Sequence, residues 1–262
     1  MKNIYIDTCV FPRSRLETGR IFRDRYGASL GFELLPMFDL QAFQANLDKN
    51  LDLFSGGPLF FHEPVFGVEH SVPKGSPAYE ETMRHILLTK KYAELLHPSA
   101  MVYHFSNRVV PPDRKKQMLS TSLENLEEIK DLFPDVKILV ENTGTRAARN
   151  LLLEQSEFTV LCLSRRLPVL IDIGHANANG WSLEKLIMDL HELIGGYHLH
   201  NNDGRRDLHN RLRDGTVDYR ELFPLINDLT PGVPLIIEYT SPALYGDPLF
   251  QDIDYLCDLA GW

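Results

Sequence analysis

"PVLIDIGHANANG", residues 168–180, runs through aliphatic residues to Asp172 and then opens into Gly174, His175 and a series of small residues. The first half reads as a short strand bounded by Pro168 and a turn. Asp172 then lies at the strand's carboxyl end, and His175 falls just past it in a turn eased by Gly174, so that both can point into one mouth.

Seven other stretches repeat this plan: "NIYIDT" (3–8), "GFELLP" (31–36), "LFFHEP" (59–64), "MVYHFS" (101–106), "VKILVEN" (136–142), "GYHLHN" (196–201) and "PLIIEYT" (234–240). Segments with helical spacing lie between them. "SPAYEETMRHILLTKKYAELL" (76–96) opens with Ser76 as a cap, Pro77 in the first turn and Glu80 as an early acidic residue. "STSLENLEEIKDLF" (120–133), "SLEKLIMDLHELI" (182–194) and "DYRELFPLINDL" (218–229) follow, the last interrupted by Pro224. Strands alternating with helices imply a parallel sheet, because parallel neighbours need a crossover and a helix is the usual one. Eight such units in 262 residues match an α/β fold of the (β/α)8 TIM barrel type. No Gly/Ser/Pro-rich linker divides the chain, so residues 1–262 read as one domain. The structural alternative, a doubly wound open sheet, announces itself by a Gly-rich phosphate turn after the first strand. "IDTCVFPRSR" has none.

Composition narrows the function classes. The chain is 44% hydrophobic, without a run long enough to cross a bilayer or the pattern of a signal peptide, which points to a cytoplasmic protein with no membrane partner. Cys9, Cys162 and Cys257 are far apart and lack CxxC spacing, so they read as buried small hydrophobes. A net charge of −9 argues against binding nucleic acid through overall charge and leaves a local basic face open.

The buried-type polar residues fall at strand ends. His62, His104, Glu141, Asp172, His198 and Glu238 each follow apolar residues and end strands three to eight. Barrel active sites are assembled on that face. Two glutamates, an aspartate and three histidines at one mouth would be partly desolvated and costly without compensation. A divalent cation supplies the missing charge, and mixed imidazole and carboxylate ligands suit zinc, manganese or iron better than calcium. In "RRDLHNR", Asp207 and His209 are two apart, and an extended segment turns such a pair to the same side. His200 shares the parity of His198 but lies further out, as a group that supports a ligand or faces substrate.

With these residues placed, the chain resembles the xylose-isomerase-like barrel superfamily, which includes sugar and sugar-phosphate isomerases and epimerases and the endonuclease IV type of abasic-site nuclease. The likeness runs from the first strand to Glu238 and is most specific in "VENTGT", "IDIGHANANG", "YHLHNND" with "RDLHNRL", and "IIEYTS". In the isomerase branch it implies one metal on Glu141, Asp172, His198 and Glu238. In the nuclease branch it implies three zinc ions, held also by His62, His104, His175, Asp207 and His209. The resemblance thus implies one to three divalent ions per chain. The sequence departs from the family at "LRDG", where Arg213 replaces a glycine, and after His62, where "EPVFGVEHSVPKGSP" lacks the nuclease branch's tyrosine-bearing DNA-contact loop.

Basic segments gather on the same rim, with "RVVPPDRKK" (108–116) after strand four, "TRAAR" (145–149) after strand five and "RRDLHNRLR" (205–213) after strand seven. Arginine forks suit phosphate or carboxylate, so Arg146, Arg205 and Arg211, together with His200, are the candidate substrate-binding residues. The expectation is a metal-dependent isomerase or epimerase of a sugar or sugar phosphate, with Glu141 and Glu238 as proton acceptor and donor beside a chelated carbonyl and hydroxyl. The alternatives are zinc-cluster hydrolysis of abasic DNA and a related sugar dehydratase or lyase. A barrel that keeps these ligands only to bind and sense a sugar is the non-enzyme reading.

Overall fold

A computed structural model describes residues 3–12 and 15–261. Its strands are β1 (Ile4–Asp7), β2 (Gly31–Leu34), β3 (Leu59–Phe61), β4 (Ala100–Tyr103), β5 (Lys137–Glu141), β6 (Val169–Asp172), β7 (Ile194–Leu199) and β8 (Leu235–Ile237). They pair in parallel and in chain order, and β8 returns to β1, closing a (β/α)8 barrel. The helices are α1 (Arg20–Tyr26), α2 (Phe43–Lys49), α3 (Leu51–Ser55), α4 (Pro77–Leu96), α5 (Lys115–Leu132), α6 (Gln155–Arg165), α7 (Ile173–Ala178), α8 (Leu183–Leu190), α9 (Tyr219–Leu229) and α10 (Asp247–Ala260).

Successive residues of a strand face opposite sides. One set, including Ile6, Phe32, Val140, Ile171 and Ile237, joins the helices in the main apolar core. The other set fills the barrel in two layers. Below, Tyr5, Phe60, Val102, Leu139, Leu170 and Ile236, with Ala100, form a separate apolar cluster. Strands β2 and β7 place Gly31 and Gly196 at that level. A Cβ on Gly31 would lie 2.3 Å from the Tyr5 ring, so the large ring in one strand requires the absent side chain in its neighbour. Two residues further along, every strand delivers an ionisable group: Asp7, Glu33, His62, His104, Glu141, Asp172, His198 and Glu238.

Several boundaries differ from the sequence reading. The α4 start is as expected, with the Ser76 side chain accepting the Tyr79 N–H at 3.2 Å and Pro77 in the first turn. Helix α5 starts five residues earlier than 120, because Met118 already belongs to the buried face continued by Ser122, Leu126 and Ile129. The 182–194 helix ends at Leu190. Ile194 is drawn into β7 by its pairing with Val169. Pro224 does not interrupt α9, whose buried Leu222, Phe223 and Ile226 hold the helix on both sides of the missing N–H. The turn expected at Gly174 is instead the short helix α7. Asp172 caps it, accepting the His175 N–H at 2.5 Å. Of the cysteines only Cys162 is fully buried, Cys9 and Cys257 being partly exposed. Among the described residues no helix is long and apolar enough to cross a membrane.

Candidate metal centre

The ionisable layer is held at the carboxyl-terminal mouth by the strand ends themselves, which fixes each side chain's direction before any ligand arrives. His198, fully buried in β7, is the centre of the arrangement. Its Nδ1 lies 3.4 Å from Glu238 Oε2, 3.6 Å from Glu141 Oε2 and 3.7 Å from Asp172 Oδ2. Neither His198 Nδ1 nor Glu238 Oε2 has a hydrogen-bond partner, although both are buried. Three carboxylates around one imidazole nitrogen, with two orphaned polar atoms, are what a cation site of mixed nitrogen and oxygen donors leaves when only protein groups are counted.

The layer extends on both sides. His62 and His104 meet edge to face on one side, and His104 Nε2 lies 2.9 Å from Glu141 Oε2. On the other, His175 bridges Glu141 Oε1 at 3.0 Å and Asp207 Oδ2 at 3.2 Å, and His209 Nε2 lies 3.1 Å from Asp207 Oδ1. The expected pairing of Asp207 with His209 is present by a different backbone route: His209 sits in the left-handed region at φ 47° rather than in a regular extended segment. Sets of ligand atoms within 4.8 Å of one another are formed by His62, Glu141 and His198; by Asp172, His198 and Glu238; by Glu141, Asp172 and His175; and by His175, Asp207 and His209. These sets bring together eight of the nine candidate ligands, and His104 joins them through Glu141 at 2.9 Å. A further set, His200 with His209 and Glu238, is weaker chemistry. Those two rings stack at 3.9 Å and 13°, so their in-plane lone pairs run side by side and do not converge on one ion.

Hydrogen bonds assign the ring nitrogens of three of these histidines. His62 Nδ1 lies 2.7 Å from the Glu63 carbonyl and His209 Nδ1 lies 2.9 Å from the Glu238 carbonyl; a carbonyl only accepts, so both nitrogens carry the proton. The Asn107 amide donates to Glu63 Oε1 and to the Val68 carbonyl, which leaves its oxygen to accept from His104 Nδ1 at 2.7 Å. In all three rings Nε2 is the nitrogen turned to the carboxylates.

Charge in the layer is divided unevenly. Burial pushes Glu238 well above the usual carboxylate range, helped by the nearby charges of Asp172 and Glu141. Burial also acts against ionised Glu141, but the facing His104 and His198 outweigh it and hold that carboxyl well below its ordinary value. Burial lowers His62 to about 4, whereas for His104 burial is overcome by the carboxylates of Glu141 and Glu63, and the ring rises to about 9.

Two members of the layer were not among the sequence candidates. Asp7 and Glu33 are fully buried, and burial lifts them to about 7 and about 8. Glu33 Oε2 lies 2.8 Å from His198 Nε2. The signal was present in the strands: Tyr5 to Asp7 and Gly31 to Glu33 repeat the two-residue step from Leu170 to Asp172.

The substrate candidates fare differently. His200 is fully buried and presents no surface; its Nε2 lies 3.1 Å from Asp172 Oδ2, and a Cβ on Gly174 would come within 2.0 Å of its ring. Arg211 forks onto buried Asp252 of α10, both contacts at 2.9 Å. Arg213, at the departure from the family turn, joins the same carboxylate at 3.5 Å. Arg146 bonds Glu154 and the Asn179 carbonyl while staying half-exposed. Arg205 is exposed beside the 207–209 segment.

The family model described as a xylose isomerase-like TIM barrel matches residues 25–258. No curated protein matches the chain. Among solved structures, a D-tagatose 3-epimerase-like protein superposes with a TM-score of 0.80 at 16% identity over 98% of this chain and 96% of the other. The IolI protein with a bound zinc atom gives 0.77 at 15% identity, with 98% of each chain covered. A family 2 AP endonuclease from Brucella melitensis gives 0.69 at 17% identity, over 92% of this chain and 94% of that one. At such identities the likeness establishes the fold alone.

Proposed function

Because the chain belongs to the xylose isomerase-like TIM barrel family, we propose that it is a divalent-metal-dependent enzyme that isomerises or epimerises a sugar or sugar phosphate. The observation that carries this reading is the pair Glu141 and Glu238, brought from β5 and from the end of β8 to within 3.6 and 3.4 Å of the same His198 nitrogen. When bound, a divalent ion would supply Lewis acidity, polarising a carbonyl and the neighbouring hydroxyl so that the adjacent C–H is acidified. Glu141, Asp172, His198 and Glu238 would hold it. The two glutamates are positioned to exchange a proton with substrate carbon, one accepting while the other donates. Used on opposite faces, such a pair gives epimerisation; one of them shuttling on a single face gives isomerisation. The buried walls around Glu141 exclude bulk water and keep the transferred proton within the site. Sugar epimerases among proteins of the same fold support the substrate class.

A second reading has its own observation. His62, His104 and His209 each have Nδ1 pinned and Nε2 turned to a carboxylate, the arrangement in which a histidine serves as a ligand. That favours more than one ion and, with it, phosphodiester hydrolysis. Elemental analysis of protein purified without added metal, paired with assays on free and phosphorylated ketoses and on an abasic oligonucleotide, separates the two. One ion per chain with epimerised or isomerised ketose is the expected result. Three zinc ions with strand cleavage, both lost in His104→Ala, would replace the first reading by the second.

A further inference from the structure

His198 is turned the opposite way from the other clamped rings. His62, His104 and His209 are pinned at Nδ1 and lead with Nε2, whereas His198 is pinned at Nε2 by Glu33, 2.8 Å away, and leads with Nδ1. We propose that Glu33 is the positioning residue that makes His198 a metal ligand, accepting its Nε2 proton so that the Nδ1 lone pair faces Glu141, Asp172 and Glu238. The inference rests on the metal-centre reading given above.

The geometry leaves the ring little freedom. His198 is fully buried and stacks on His62 with centroids 5.7 Å apart and planes 12° from parallel. A flip about the Cβ–Cγ axis would set C–H groups against both Glu33 and the three carboxylates, losing the hydrogen bond with no water to replace it. Glu33 itself is held in β2 opposite Asp7 of β1, so its carboxylate comes from the barrel wall and not from a loop. It is fully buried, stands beside Asp7 on one side and His198 on the other, and its Oε1 has no hydrogen-bond partner. A half-satisfied buried carboxyl is costly, and an aliphatic side chain there would extend the apolar layer below. Orienting the imidazole is the return that this cost has in the structure. Partners of this kind typically change metal affinity 10–100-fold when removed.

Zinc affinity measured by competition with a chromogenic chelator tests the inference on the full chain. Glu33→Leu is expected to bind zinc about 10–100-fold more weakly than the wild type, while the metal-free variant melts no lower than the metal-free wild type at pH 8. Glu33→Gln is expected to restore most of the affinity, since an amide oxygen accepts the same N–H. A folded Glu33→Leu protein that binds zinc within about twofold of the wild type, well below that range, overturns the proposal. Ring-nitrogen NMR of zinc-loaded wild type is independent of how any Glu33 variant folds: His198, assigned by the signal lost in His198→Asn, is expected as the Nε2–H tautomer with metal on Nδ1. The opposite tautomer also overturns it. A wild type that takes up neither zinc, manganese nor cobalt fails at the metal-centre reading itself, a different failure from unchanged affinity in Glu33→Leu.

Discussion

A step of two positions leads from Leu170 to Asp172, from Val102 to His104 and from Ile236 to Glu238, yet the layers on either side of that step answer to different physics. The lower layer is apolar and closely packed, with Gly31 yielding its space to Tyr5. The upper one crowds eight ionisable groups into a nearly water-free ring and leaves atoms of Asp7, Glu33, His198 and Glu238 without partners. Burial stabilises the first. The second costs stability and is tolerated because the lower layer and the outer helices supply enough of it. The same strand geometry thus holds a structural layer and a chemical one, and their mutational responses should separate.

Glu238→Gln offers the sharpest break in that comparison. Turnover of a ketose substrate is expected to fall by about 10²–10⁴-fold, with the melting temperature of the metal-free protein little changed, since burial already holds that carboxyl in its neutral form and the amide is neutral too. Retained turnover with metal bound would remove Glu238 from the chemistry. Leu170→Ala, two residues from a ligand, should do the reverse: a loss of about 2–5 kcal/mol in denaturant unfolding, with the folded protein still taking up metal. Metal lost in proportion to a small stability change would show that the layers are not separable. Gly31→Ala should cost about 1–3 kcal/mol by forcing the Tyr5 ring aside. A neutral result in the same unfolding measurement would mean that the ring has room to move.

The smallest effect is a pH dependence confined to the upper layer. Glu33 and Asp7 are raised to about 8 and about 7, so the folded metal-free protein binds their protons more tightly than the unfolded chain does. Their contribution is complete below the ordinary carboxylate range and is lost as pH climbs through those values. His104, raised to about 9, adds a term of the same sign between its ordinary value and pH 9. Metal-free protein should therefore melt lower at pH 8.5 than at pH 6.5. Added zinc should raise the melting temperature more at the higher pH, because the ion replaces the protons. A metal-free profile that is flat or rising over this window would contradict the assignment.

The barrel was legible because each strand is a short apolar run ended by polar residues and separated from the next by helical spacing. His62, His104, Glu141, Asp172, His198 and Glu238 were legible as candidate ligands because strand ends converge, and His175, Asp207 and His209 through their spacing and the family resemblance. Glu33 and Asp7 passed unnoticed because "GFELLP" and "NIYIDT" read as strands whose charges needed no account, although the two-residue step from Gly31 and Tyr5 carries the same signal as Leu170 to Asp172. The α7 helix was hidden because Asp172 acts both as a ligand candidate and as a cap, and composition alone favours a turn at Gly174. The arginines show the limit of reading charge from spacing: Arg211 lies on the right loop, yet its guanidinium meets Asp252, some forty residues away in a helix whose docking is a tertiary event.

The upper layer draws one group from each of the eight strands, from Asp7 in the first to Glu238 directly after the last, so its contacts span almost the whole chain. Neighbouring strand–helix units can form from local contacts, but this ring is complete only when β8 docks on β1. The half-barrel from β5 to β8 carries all four groups proposed to hold one ion, whereas the full ring of eight needs both halves. An ion held by Glu141, Asp172, His198 and Glu238 would tie β5, β6, β7 and β8 together and touch no group of β1, so it should slow the separation of those four strands and leave the β1–β8 seam to contacts between protein groups.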